Sequence, residues 1–152
     1  MLPGDTSMSL SIREAQEKDV AELCRLMVEL GGHAISPAQM MNRLQFVGES
    51  KFDSLYVCEE EGKILGLLGF RIRENLEEVS RFGEVSAIVV YPDGRRRGVG
   101  LFMMDYAEKL AKELGCKGMW LVSGFGREEE AHGFYKDLGY RINGYRFVKL
   151  FK

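Results

Sequence analysis

Arg95-Arg96-Arg97-Gly98-Val99-Gly100 is the segment whose residue types and spacing could do chemistry. It follows an apolar, strand-like run ending at Tyr91 and opens an amphipathic run that reads as a helix. Glycines there let the backbone turn tightly and leave amide N–H groups pointing outward. A helix N-terminus adds unpaired donors and a partial positive charge, so the corner suits an anion. Three arginines beside it make a diphosphate the natural ligand. Two better-known phosphate loops do not fit. A P-loop requires Lys and then Ser or Thr after the last glycine, whereas Leu101-Phe102 follow Gly100; a dinucleotide fingerprint requires a third glycine where this chain has Met103. The competing reading is a solvated basic turn that merely joins strand and helix.

The elements that position this corner follow from periodicity. Leu10 to Arg13 alternates as a short strand. Val20, Leu23, Cys24, Met27 and Leu30 make one face of a helix, with Asp19 and Glu22 as a capping box and Gly31-Gly32 as its stop. Ser36, Pro37 and Gln39 open a second helix whose apolar side carries Met40, Met41, Leu44 and Val47, and Gly48 ends it. The period then changes. Residues 54–59 and 63–73 read as a hairpin joined at Glu60-Glu61-Gly62, and 82–91 is a third strand cut off by Pro92-Asp93-Gly94. A helix over 98–114 with Gly115 as its cap, a buried strand over 119–122, a helix over 128–138 and a last strand over 145–151 complete the order. The spacing predicts a single α/β domain over residues 9–152 behind a loose tail, 1–8. Its mixed, mostly antiparallel sheet carries one parallel β-α-β crossover and is flanked by about four helices.

Composition narrows the function. The 152 residues are 45% hydrophobic and 29% charged, which is globular rather than disordered. A formal net charge of -2 speaks against nucleic acid or an anionic membrane as partner. No apolar run is long enough to span a bilayer, and the N-terminus shows no secretory h-region. Cys24, Cys58 and Cys116 share no metal-ligand spacing and read as reduced core residues, so a cytosolic protein without a metal is expected.

Two segments together carry a resemblance. Arg95-x-x-Gly98-x-Gly100, after the strand 84–91, resembles the acyl-CoA-binding signature of the GNAT-type N-acetyltransferases. One helix and one strand later, Ala131-His132-Gly133-Phe134-Tyr135-Lys136-Asp137-Leu138-Gly139-Tyr140 is similar to the family's second signature. The resemblance implies acetyl-CoA as co-substrate and no metal. It places the CoA diphosphate on the backbone from Arg96 through Leu101, taking in Arg97, Gly98, Val99 and Gly100, with Arg95 adding attraction. It also implies that the pantetheine arm pairs with the main chain at Ile88 and Val90, with an amide near Val89 as oxyanion donor. Many members carry Asn where this chain has Glu128, so Ser123 or the turn 124–126 is left to make that contact.

Acetyl transfer from a thioester needs a held donor, a neutral amine, a donor for the oxyanion and a proton for the departing thiolate. By the resemblance, Tyr135 is the acid; the alternative is a core tyrosine on the stripe of Ala131 and Leu138. Glu84, eleven residues before Arg95, stands at an offset used for a catalytic glutamate, and Ser86 shares its strand face. An exposed strand-edge glutamate is the alternative there. His33, between the first two helices, borders the acceptor pocket in this family and would bind substrate or relay a proton. The expected function is transfer of acetyl from acetyl-CoA to the primary amine of a small molecule, by direct attack in a ternary complex. The rivals are a catalytically silent CoA-binding sensor or interaction module and, less favoured by charge, a nucleic-acid binder. The apolar character of the strand over 145–151, with what the resemblance implies, suggests a homodimer.

Overall fold

The computed structural model describes residues 9–94, 97–123 and 128–151. The expected tail over 1–8, Arg95, Arg96 and the turn 124–126 therefore lie outside the described residues. Five strands form one sheet in the order β1-β2-β3-β4-β5: β1 Leu10–Glu14, β2 Asp53–Glu60, β3 Lys63–Asn75, β4 Ser80–Val90 and β5 Gly118–Leu121. The first three pairings are antiparallel and β4 pairs with β5 in parallel. The helices are α1 Val20–Gly31, α2 Pro37–Glu49, α3 Val99–Glu113 and α4 Glu128–Asp137. The expected mixed sheet, with α3 as the crossover between β4 and β5, is present.

Strand alternation divides the core in two. Leu65, Leu68, Phe70, Val85 and Val90 face α3, packing on Val99, Met103, Met104 and Ala107, with Phe134 and Tyr135 of α4 at the margin. Val57, Ile64, Leu67 and Val89 face the other way, onto Leu23, Leu26 and Met40 of α1 and α2. Local signals explain several boundaries. Ser36 Oγ accepts from the Gln39 amide at 3.1 Å while the Gln39 side chain accepts from the Ser36 amide at 2.9 Å, so the expected capping box forms. Glu61 and Gly62 both take positive φ, 49° and 82°, the geometry of a tight hairpin turn.

Three expectations are corrected. Asp19 does not cap α1 with its side chain. It accepts instead from the Gln16 amide and, through both oxygens at 2.8 Å, from Arg13 of β1, which also reaches Glu59 of β2. Glu22, its expected partner, accepts from Tyr91 at 2.7 Å. Second, Gly48 does not end α2, which runs to Glu49. Third, residues 145–151 form no strand. Tyr145, Phe147, Leu150 and Phe151 stand in solvent, because no strand of the same chain pairs with them.

The Arg13–Asp19 pair gives a first testable consequence. Asp19 is only 5% exposed, and the Arg13 hydrogen bonds hold its carboxyl below the usual carboxylate range. A carboxyl with a lowered folded-state pKa contributes stability above its unfolded pKa and loses it as pH falls through the folded one. Arg13→Ala should therefore cost about 3 kcal/mol near neutral pH, read as a lowered denaturation midpoint, and the penalty should shrink as the solution is acidified below the carboxylate range.

Candidate active site

The site is built where β4 and β5 part. Parallel pairing joins Phe82–Val85 to Gly118–Leu121 and goes no further, so from Ser86 onward no described strand covers that side of β4. On the other side β4 stays paired with β3 as far as Val90. The register shifts between Gly69 and Phe70, opposite Ala87 and Val85, so Ser86 is the extra residue of a bulge. A Cβ built on Gly69 would stand 2.6 Å from Ser86 Oγ. A side chain there would make the exposed serine hydroxyl of the bulge move and would press on Ala87, whose N lies at 3.2 Å.

Hydrogen-bond alternation decides which amides face the gap. The Tyr91 amide donates to Leu65 at 2.9 Å, so that pair is bonded and every second pair before it is too. Val89, opposite Leu67, thus turns its N–H toward β3, while Ile88 and Val90 turn toward the gap. The Val89 amide, expected as the oxyanion donor, therefore points into the sheet. Of the two positions, it is Ile88 whose N–H has the orientation expected of an oxyanion donor.

The basic corner closes the far end of the gap. Gly98 is the N-cap of α3 and takes φ 79°, a left-handed conformation that strains any side chain. Val99 is fully buried against Leu65, Val90 and Met103 and fixes the helix start, while Leu101 and Phe102 lie exposed. The first-turn amides of Val99, Gly100 and Leu101 have no intrahelical acceptor by geometry. Gly100 has an ordinary helical φ, and an added Cβ would meet only Phe134, at 3.6 Å, among the described residues. Folding does not demand glycine there; a ligand backed against the helix would. Arg97 does not reach into that space. Its guanidinium is held at 2.7 and 2.9 Å by Glu60 of the β2–β3 hairpin.

The candidate side chains approach the gap from opposite faces. Tyr135 comes from the α3 side, packed at 5.2 Å on Phe134 and 6.0 Å on Tyr140. Burial pushes its phenol above the ordinary tyrosine value, and its hydroxyl has no hydrogen-bond partner among the described residues. Tyr140, by contrast, donates to Glu108 at 3.0 Å. Glu84 comes from the other face, its side chain 14% exposed, and accepts from Arg73 at 3.1 Å. The same guanidinium lies 4.4 Å above the ring of Trp120, which stands opposite Glu84 on β5. Beside them Arg71 donates to Asp53 at 2.7 Å.

Arg71, Arg73 and Trp120 were not foreseen from sequence. The alternation of β3 puts both arginines on the face of Glu84, a signal visible in the chain; their meeting with Trp120 depends on a long-range register. His33 is exposed in the α1–α2 connection, and Ser123 is half-buried just after β5. Neither hydrogen-bonds to Glu84, Arg73 or Tyr135 among the described residues. No group of three or more potential metal ligands occurs among the described residues. No helix among them is long and apolar enough to cross a membrane.

Known proteins share this architecture. An aminoalkylphosphonate N-acetyltransferase of Salmonella typhimurium is 28% identical over 88 residues, and the match covers 58% of this chain and 56% of that protein. This chain thus spans about half the length of that curated relative. A solved GNAT family acetyltransferase from Staphylococcus aureus superposes with a TM-score of 0.79 at 26% identity, over 95% of this chain and 100% of that one. A structure described as a transcriptional regulator from Bacillus halodurans reaches 0.85 at 21% identity, over 93% and 99%, and speaks for the fold. The acetyltransferase (GNAT) family profile matches residues 21–140, from α1 through the second signature. The chain belongs to the acetyltransferase (GNAT) family.

Proposed function

We propose that the protein transfers acetyl from acetyl-CoA to the primary amine of a small acceptor, by direct attack within a ternary complex. The observation that carries this reading is the uncovered side of β4 after Val85, with the Ile88 amide facing it. The first turn of α3 lies at one end of that gap, and the Tyr135 hydroxyl, without a partner among the described residues, comes from the α3 face. The α3 amides and the space beside Gly100 would hold the diphosphate, and the β4 main chain at Ile88 would pair with the pantetheine along the gap. The amine nitrogen then attacks the thioester carbonyl; a C–N bond forms as the C–S bond breaks. Ile88 N–H faces the developing oxyanion. Tyr135 gives its proton to the departing thiolate and recovers one from solvent.

Glu84 takes the proton the amine must lose, directly or through water. Two carboxylate–guanidinium pairs, Glu84–Arg73 and Asp53–Arg71, line the same face, so an acceptor with an ammonium near an anionic group finds partners for both charges. The Salmonella relative, named for aminoalkylphosphonates, makes such compounds the first candidates. The three free cysteines support a reducing, cytosolic setting.

A thiol-release screen with acetyl-CoA tests the reading, using aminoalkylphosphonates, amino acids, polyamines and aminoglycosides as acceptors. Turnover is expected with at least one class. Glu84→Gln should then lower kcat/KM by roughly 10²-fold or more near neutral pH while leaving acetyl-CoA affinity unchanged. Stabilisation by CoA with no thiol release from any class would show a silent binding module instead.

A further inference from the structure

The sheet face that carries Glu84 holds two carboxylate–guanidinium pairs, Asp53–Arg71 and Glu84–Arg73, with Trp120 beside them. Pairs whose arginines are 41% exposed add little to stability, so the fold has small use for two of them here. The two arginines are held differently. Arg71 is tied through Nε to Asp53, which also accepts from the Ser50 hydroxyl at 2.8 Å and so belongs to the turn between α2 and β2. Arg73 instead lays its guanidinium 4.4 Å above the Trp120 ring and uses Nη1 to donate to Glu84 at 3.1 Å. Stacking fixes the plane of a guanidinium and leaves its edge free to donate. Among the described residues, nothing but Glu84 takes a hydrogen bond from that edge.

Two carboxylates balance two guanidiniums on this face. An acceptor that brings one ammonium and one anion keeps the balance, whereas a second cation would stand uncompensated beside two arginines. We infer that Arg73 is the residue that selects the acceptor: its free edge takes an anionic group, carboxylate or phosphonate, set close to the amine that Glu84 receives. Carboxylate, guanidinium, anion and ammonium then alternate round a square with sides of about 3 Å. Such a square suits a spacer of only a few atoms between amine and anion. Trp120 is the positioning residue that keeps the Arg73 edge turned for this contact. That the bound amine is then acetylated rests on the acetyl-transfer reading; the selective binding does not.

Calorimetric titrations into the CoA-saturated protein test the inference without turnover, with aminoethylphosphonate, β-alanine, ethylamine and ethylenediamine as probes. The wild type should bind the first two at least about tenfold more tightly than ethylamine, the gain of a charge-assisted hydrogen bond. The tighter of the two names the anion. Ethylenediamine should bind no better than ethylamine. Arg73→Gln should erase most of the preference, and Arg73→Lys, which keeps the charge but loses the stacked fork, should fall between. A wild type that binds none of the probes or all alike would overturn the inference. So would ethylenediamine bound as tightly as β-alanine, or a preference that survives in Arg73→Gln. Should Arg73→Gln fail to fold, an undiminished preference in Arg73→Lys would overturn it equally. Thiol release from acetyl-CoA with the same probes separates the two claims. Selective binding without release would refute acetyl transfer and keep the Arg73 assignment; release without selectivity would do the reverse.

Discussion

Tyr135→Phe lowers kcat by roughly one to three orders of magnitude, the span of a single acid-base group, with little change in the KM for acetyl-CoA. The structure makes this substitution unusually clean. The phenol ring is packed between Phe134 and Tyr140, and phenylalanine keeps those contacts. Removing the hydroxyl breaks no hydrogen bond among the described residues, and thermal stability should hold or rise slightly. Burial raises the Tyr135 pKa, which keeps the phenol protonated through the neutral range and ready to donate. Activity that depends on the protonated form should therefore persist with rising pH until above the ordinary tyrosine value, and the variant should lose that alkaline limb. Steady-state kinetics across pH, beside a melting curve, checks all three statements. A variant with full turnover would remove the acid role and leave Tyr135 as a core residue.

Gly100→Ala should stabilise the fold and damage its ligand site. Alanine is preferred over glycine in a helix, by about 1 kcal/mol in the interior and less in the first turn, and the new Cβ has ordinary contact distance to Phe134. The melting temperature should therefore rise. Affinity for CoA should fall at least about tenfold, equivalent to about 1.4 kcal/mol, because the methyl group occupies the approach to the first-turn amides. Calorimetric titration of CoA into both proteins measures the second effect, and differential scanning calorimetry the first. Gly98→Ala makes a useful contrast, because its φ of 79° predicts lost stability as well. An unaltered CoA affinity in Gly100→Ala would mean that the ligand does not back onto this helix.

Much of the positioning framework was legible because its causes are local. Ser36, Pro37 and Gln39 specify the start of α2 within four residues, and Glu61-Gly62 specifies the hairpin within two. The glycines around Val99 pointed to the helix corner for the same reason. What sequence hid was settled by distant partners. Asp19 and Glu22 looked like a capping pair, but Arg13 at the end of β1 takes the Asp19 oxygens and Tyr91, 69 residues away, takes one of Glu22. Arg97 looked like a phosphate ligand, but Glu60 of a hairpin far away in sequence holds it. The bulge at Ser86 and the stacking of Arg73 on Trp120 depend on register, which periodicity does not report. The apolar run 145–151 reads as a strand from its residues alone, yet no strand forms there, because pairing depends on long-range contacts that composition does not report.

The central claim is that CoA lies along the uncovered side of β4 with its diphosphate on the first turn of α3. Amide-resolved NMR during a CoA titration tests it most directly. The largest shifts should fall on Ile88, Val99, Gly100 and Leu101, with the Val89 amide, which points into the sheet, moving less. Shifts confined to the α1–α2 face, or none at all at saturating CoA, would contradict it.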